Sequence, residues 1–199
     1  MSDGDLPRRK RELRREVAAR LGTLAPEEFA ERGRRALERL AALEEYAGAG
    51  GVLLYASMPD EIDTAWLIDA ALAGGKRVLL PLCDGSRDEM SAVRIGDREA
   101  DLRPGRFGIL EPRGGLPACA PGEIDFVLVP GRAFDAECRR LGRGRGFYDR
   151  FLSEAASGGA FSAAVALDLQ VFPEVPAGDY DLPVDIVVTE SRELRAGRS

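Results

Sequence analysis

Ile124-Asp125-Phe126-Val127-Leu128-Val129-Pro130-Gly131, followed ten residues on by Leu141-Gly142-Arg143-Gly144-Arg145-Gly146-Phe147-Tyr148-Asp149-Arg150, decides how this chain is read. The apolar run stops at Pro130-Gly131, the pattern of a buried strand ending in a turn. Glycines alternate at 142, 144 and 146, and a helix-like pattern resumes over Tyr148 to Leu152. Strand, glycine loop and helix in that order bring backbone N–H groups to a helix N-terminus, which suits an anion. Arg143 and Arg145 add full positive charge there, and Asp149 is placed to hold a divalent cation against a phosphate. Together these parts read as a nucleotide phosphate site; the plainer alternative is a flexible surface loop with solvated arginines.

Two familiar phosphate templates fail. A P-loop needs G-x-x-x-x-G-K-[ST], and the chain's Gly75-Lys76 is followed by Arg77. A dinucleotide fingerprint needs G-x-G-x-x-G, but after Gly142 and Gly144 the next glycine falls one place early, at 146.

Composition narrows the chemistry further. The 199 residues suffice for one domain with a real core, and 45% hydrophobic with 31% charged residues fits a globular protein. A net charge of -6 argues against a general nucleic-acid binder despite the arginine clusters. No apolar run approaches the roughly 20 residues of a membrane helix. The opening MSDGDLPRRKRELRRE has no apolar core of a secretory signal. Cys83, Cys119 and Cys138 are an odd set without metal-ligand spacing, so reduced thiols in the cytoplasm are expected. There is no histidine, which excludes Ser-His-Asp triads, H-E-x-x-H zinc sites and any imidazole base. What remains is carboxylates, cations, amides, hydroxyls or a bound metal, an inventory that suits phosphoryl transfer.

Along the chain, Arg9 to Gly22 reads as a helix with Leu13, Val17 and Leu21 as its apolar stripe. Lys10 and Arg14, four apart, share a face, which by itself is the pattern of a solvated basic surface. A second helix begins at Pro26 beside Glu27 and Glu28, and is expected to run until Gly48–Gly51. Gly51 to Ala56 has the length of a buried strand, and Ala65 to Ala73 reads as a helix with Asp63 as its cap. Strands are expected at Gly75–Pro81, Met90–Ile95, Ala163–Leu167 and Pro183–Glu190, with a loop or structural turn over Asp101–Pro112. Residues 1–7 and 191–199 are expected to fray. The alternation indicates an α/β fold: one domain, a mainly parallel sheet with helices on both faces, and N-terminal helices packed on the sheet.

Val129 to Arg150, VPGRAFDAECRRLGRGRGFYDR, resembles the 5-formyltetrahydrofolate cyclo-ligase family, also called 5,10-methenyltetrahydrofolate synthetases. That family's pattern is close to V-P-G-x-x-F-D-x-x-G-x-R-L-G-x-G-x-G-Y-Y-D-R. The likeness extends to Lys10-Arg11-Glu12-Leu13-Arg14, Glu61-Ile62-Asp63-Thr64, the Gly75–Pro81 segment, Phe107-Gly108-Ile109-Leu110-Glu111-Pro112 and the Val184–Glu190 ending. Two departures stand out: Glu137-Cys138 where a glycine is frequent, and Tyr180 before Asp181 where histidine is usual. They are the only support for a rival reading, a non-catalytic nucleotide- or folate-binding protein.

The resemblance implies ATP- and Mg²⁺-dependent closure of 5-formyltetrahydrofolate to 5,10-methenyltetrahydrofolate, through phosphorylation of the formyl oxygen. It places the nucleotide on Lys10, Arg14, Gly142, Arg143, Gly144, Arg145, Gly146, Phe147 and Tyr148, with Arg143 and Arg145 acting in catalysis. It assigns the folate to Ala56, Glu61 and Tyr148, and Mg²⁺ to Asp149 and Asp181. The expected partners are these small molecules, with neither nucleic acid nor membrane, and the expected state is a cytoplasmic monomer.

Overall fold

The computed structural model describes residues 5–84, 89–105 and 108–197. The chain opens with α1 (Leu6–Leu21), α2 (Pro26–Ala41) and the four-residue α3 (Glu44–Ala47). It continues through β1 (Gly51–Leu53), α4 (Ala65–Ala73), β2 (Arg77–Asp84) and β3 (Glu89–Ile95). Next come α5 (Arg98–Asp101), β4 (Leu102–Pro104), β5 (Leu110–Pro112), β6 (Ala118–Cys119) and β7 (Phe126–Leu128). Last are β8 (Ala133–Phe134), β9 (Arg140–Leu141), α6 (Phe147–Ser157), β10 (Phe161–Val165), β11 (Ile186–Val188) and β12 (Glu193–Arg195).

Local chemistry explains the helix boundaries. Pro7 and Pro26 sit in first turns, where a missing N–H removes no helical bond. In α2, Gly33, Ala36, Leu37 and Leu40 form the buried side. The helix stops at Ala41, well short of the expected Gly48, because Leu43 turns extended, with ψ at 137°, and buries its side chain in the core. The short α3 that follows is closed by Lys76, whose Nζ donates to the carbonyls of Tyr46, Ala47 and Ala49 at 2.6–3.0 Å. A cation on those final carbonyls complements the helix dipole. The Gly-Lys pair therefore has a structural task.

Among the described residues eight strands form one sheet, in the order β12-β11-β10-β7-β1-β2-β3-β6. The five central strands, β11 to β2, run parallel; β3, β6 and β12 are antiparallel additions at the edges. Side chains alternate across this sheet. Val52 and Leu54 face the cluster that contains Leu37 of α2 and Leu67 of α4. Leu53 and Val127 face the other, with Phe151 and Leu152 of α6. Helices thus cover both faces.

The outer helix α1 sits one layer out. Its Leu13 and Val17 pack against Ala133 and Leu141 of the β8–β9 ribbon and against Phe172 and Val175. That ribbon also intervenes between the apolar strand β7 and the glycine loop, which therefore leaves from β9. Pro130-Gly131 makes the turn into it, and a Cβ at Gly131 would collide with the Phe134 ring.

Three expectations are corrected. The Asp101–Pro112 segment is not a plain loop but holds β4 and β5, paired from Leu102↔Pro112 to Pro104↔Leu110; Arg106 and Phe107 lie outside the described residues. The tail expected to fray holds β12, whose Glu193–Arg195 pairs with β11, and Arg195 Nη1 bonds Glu45 at 2.7 Å. Leu6 and Pro7, also expected to fray, form the first turn of α1. No described helix is long and apolar enough to cross a membrane.

Candidate active site

The chain runs outward from β1 in both directions, to β2 on one side and later to β7 on the other. Such a reversal leaves a crevice beyond the C-terminal strand ends, where ligands of open α/β sheets bind. A cleft of about 1610 Å³ lies there, floored by Tyr55 and Ala56 after β1, Pro81 and Cys83 of β2, and Pro130 and Gly131 after β7. All the residues assigned above to nucleotide, folate or metal line this one cleft.

On one side stands the glycine loop, leading into the 11-residue α6. Gly144 and Gly146 have φ of 107° and 67°, a left-handed backbone that glycine adopts without penalty. The α6 N-terminus adds its partial positive charge. Helix α1 is seated on this loop: Arg14 Nε donates to the Gly142 carbonyl at 2.9 Å. Burial lowers the Arg14 pKa, opposed by attraction to Asp181, yet an arginine stays charged. One turn away, Lys10 Nζ meets Asp181 Oδ2 at 2.5 Å, and Gly178 N–H donates to the same oxygen at 2.6 Å. The paired cations of α1 thus face the cleft and not solvent.

On the other side stands the loop after β1. Thr64, the N-cap of α4, donates its Oγ1 hydroxyl to the buried Tyr55 carbonyl, and the first helical N–H, of Ala65, donates at 3.0 Å to Asp63 Oδ1, one place before the cap position expected of it. Ile62 is buried against Gly33. These contacts fix the backbone and hold Glu61, whose Oε2 accepts the Met58 N–H at 2.9 Å. Glu61 Oε1 accepts from Arg143 Nε and Nη2 at 3.0 and 2.9 Å, and Arg143 Nη2 also donates to Asp60 at 2.6 Å. Burial opposes charge on Arg143, but Asp60 and Glu61 outweigh it and raise its pKa. Burial likewise opposes charge on Asp60, and bonds to Arg143 and attraction to Arg132 prevail, lowering it. The two walls of the cleft are therefore tied together by one arginine.

The acidic residues assigned to a metal are occupied by cations. Asp149 Oδ1 accepts from Arg140 Nη2 at 2.7 Å and from Leu182 N–H at 3.2 Å. Asp181 carries Lys10. Among the described residues no group of three or more His, Cys, Asp or Glu side chains is arranged for a metal. The donor set does not fit a resident ion. It does fit Mg²⁺ arriving with a nucleotide, since that ion keeps several waters and takes phosphate oxygens plus one or two carboxylates.

Sequence reasoning gave no role to Arg140, Asp60 or Arg132. Arg140 is 6% exposed, and burial lowers its pKa against the attraction of Asp149. The signal was present: Arg140-Leu141 occupies the R-L of the long pattern. Asp60 Oδ2 bonds Arg132 at 2.6 Å, a pairing across 72 positions that no local spacing shows. Among the described residues, the Tyr148 hydroxyl and Arg140 Nε are buried without hydrogen-bond partners. Burial holds the Tyr148 phenol neutral, its pKa far above the ordinary range. Unsatisfied groups beside a cleft are what a hydrogen-bonding ligand completes.

The departure at Glu137-Cys138 has a backbone origin. Cys138 has φ of 57°, the conformation a glycine takes freely, and lies fully buried, its Sγ donating to the Leu194 carbonyl at 3.2 Å. Burial pushes its thiol up to about 11. Cys138 lies outside the cleft lining and has the properties of a structural thiol, so this difference does not touch the site.

Residues 7–190 match the model of the 5-formyltetrahydrofolate cyclo-ligase family. The chain is 31% identical over 200 residues to a probable 5-formyltetrahydrofolate cyclo-ligase of Schizosaccharomyces pombe, covering 94% of this chain and 98% of that one. It is 30% identical to the 5-formyltetrahydrofolate cyclo-ligase of Mus musculus, covering 91% and 93%. Its fold matches the 5,10-methenyltetrahydrofolate synthetase of Aquifex aeolicus with a TM-score of 0.81 and 36% identity, over 96% of this chain and 95% of that one.

Proposed function

The chain belongs to the 5-formyltetrahydrofolate cyclo-ligase family, and from that premise we propose that it converts 5-formyltetrahydrofolate to 5,10-methenyltetrahydrofolate with ATP as phosphoryl donor. The observation that carries this reading is the Arg143 bridge, which joins a phosphate-type glycine loop to the Glu61 carboxylate inside one cleft.

The chemistry requires activation. A formyl oxygen on an amide-like nitrogen is a poor leaving group. Transfer of the γ-phosphoryl group to that oxygen creates an iminium phosphate, which N10 attacks to close the ring. The C–O bond then breaks, phosphate departs with the former formyl oxygen, and N10 loses its proton. No protein nucleophile is needed, in keeping with a chain that has no histidine. Lys10, Arg14, Arg145 and the α6 N-terminus hold the phosphates and neutralise charge in transit. Mg²⁺ bound to the nucleotide would supply further charge neutralisation, with Asp149 or Asp181 as its protein contact.

Glu61 receives the aminopyrimidine edge of the pterin through paired hydrogen bonds. In the unliganded protein Arg143 holds Glu61 Oε1. The pterin replaces Arg143 there, and the arginine, still anchored by Asp60, turns to the phosphates. Folate binding thus prepares the phosphate side. Glu61→Gln removes the charge and keeps the volume. It should raise the KM for 5-formyltetrahydrofolate about tenfold or more, the usual loss for a charge-assisted bond, and change ATP binding less. Equal effects on the two ligands, read by calorimetry, would reduce Glu61 to a structural tie.

The reading as a whole is tested by incubating the purified protein with 5-formyltetrahydrofolate, ATP and Mg²⁺ while following the near-ultraviolet absorbance of the methenyl product. Absorbance should rise only when all three are present. A rise without ATP would sink the phosphoryl-transfer step, and no rise would favour a binding protein. A monomer working in the cytoplasm belongs to the same proposal; elution on gel filtration near 21.5 kDa would support the first part.

A further inference from the structure

Tyr180 is 91% exposed, an unusual state for a large aromatic side chain, and it nonetheless lines the cleft. Its surroundings give the position meaning. On α1, Leu6, Lys10 and Arg14 recur every four residues, and all three line the cleft. Arg14 is at the inner end, bonded to Gly142 of the glycine loop. Lys10 comes next, paired with Asp181, the neighbour of Tyr180. Leu6 and Pro7 form the outermost turn, and a Cβ on Gly178 would lie 3.0 Å from Leu6 Cδ2, so the 178–181 turn rests on that end. From Arg14 to Leu6 the helix rises about 12 Å, a span suited to a triphosphate and its sugar.

Resting on the ATP reading above, we propose that Tyr180, with Leu6 and Pro7, is the platform for the nucleotide base. A nucleotide whose γ-phosphate reaches the glycine loop and Arg14, and whose inner phosphates pass Lys10, brings its base out at this apolar rim. There an aromatic ring stacks on the base, the contact that favours any π-face over water. The residue that departs from the family's usual histidine is thereby a base-binding side chain, and the departure changes base affinity without touching the reaction.

The test is equilibrium binding, in the absence of folate, of ATP and of inorganic tripolyphosphate, which has the charges and no base. Tyr180→Ala should weaken ATP by about tenfold and leave tripolyphosphate unchanged, in the range of single base-stacking losses. Tyr180→Phe should bind both like the parent. The exposed position makes misfolding of either variant a minor concern, checked by an unchanged melting temperature. Unchanged ATP affinity in Tyr180→Ala would overturn the platform. Equal weakening of ATP and tripolyphosphate would also overturn it, since Tyr180 would then act only by holding Asp181 and Lys10. A parent protein that binds neither ligand defeats the ATP reading itself, an outcome distinct from a failure at Tyr180 alone.

Discussion

Asp149→Asn should lower the unfolding free energy by about 3 kcal/mol or more, even with no metal present. The reason is Arg140. Its side chain is only 4% exposed and that of Asp149 is 19%, and they meet at 2.7 Å. Removing one partner of a buried ion pair strands the other charge, and such losses run to about 3–5 kcal/mol. Asparagine can still accept the Leu182 N–H, so the change isolates the charge. Urea unfolding of the parent, Asp149→Asn, Arg140→Met and the double variant reads the effect directly. The double variant should recover part of the loss, because it no longer buries an unpaired cation. If Asp149→Asn unfolds like the parent and shifts only the Mg²⁺ titration of activity, Asp149 is a metal contact first and a counter-ion second.

Arg145→Ala should reduce kcat by about 10²-fold, more than it raises the KM for ATP, because a charge aimed at a transferring phosphoryl group matters most in the transition state. The side chain is exposed on the glycine loop, with its guanidinium 5.2 Å from the centre of the Phe147 ring, and a melting curve run beside the kinetics separates a lost charge from a loosened loop. Arg143 differs. It is bonded to Asp60 and Glu61 in the unliganded state, and its removal leaves Glu61 Oε1 in the cleft without its arginine, while Asp60 keeps Arg132. Arg145→Ala leaves that tie between the two walls in place. A variant with near-normal kcat would leave the work to Arg14, Lys10 and the α6 N-terminus.

How much of this was legible beforehand follows from the range of the interactions involved. The i, i+4 spacing that puts Lys10 and Arg14 on one helix face and the alternation of the glycines are local patterns, and in the structure these residues line one cleft. Ala65–Ala73 is readable as a helix because Asp63 stands beside its start, where it accepts the Ala65 N–H, and a glycine stands at its end. The direction of β3 was not, since an apolar run reads alike in either sense; only pairing with β2 from Val78↔Ile95 to Asp84↔Glu89 makes it antiparallel. The β12 strand is polar and short, and its order comes from β11 and from Glu45, more than a hundred residues away. Nothing local sets Arg140 apart from the arginines at 139, 143 and 145. Its burial depends on Asp149 and the turn at Leu182, which no single-residue property announces. Glu61 and Asp149 likewise have cationic partners that decide what they do before any ligand arrives.

Phosphorylation of the formyl oxygen fixes where that oxygen must go, and an isotope follows it. 5-Formyltetrahydrofolate carrying ¹⁸O in the formyl group is turned over with unlabelled ATP and Mg²⁺, and the released inorganic phosphate is analysed by mass spectrometry. The label should pass into phosphate, one labelled oxygen for each methenyl product formed. Unlabelled phosphate, with the ¹⁸O recovered in water, would mean that the oxygen leaves without ever receiving the phosphoryl group.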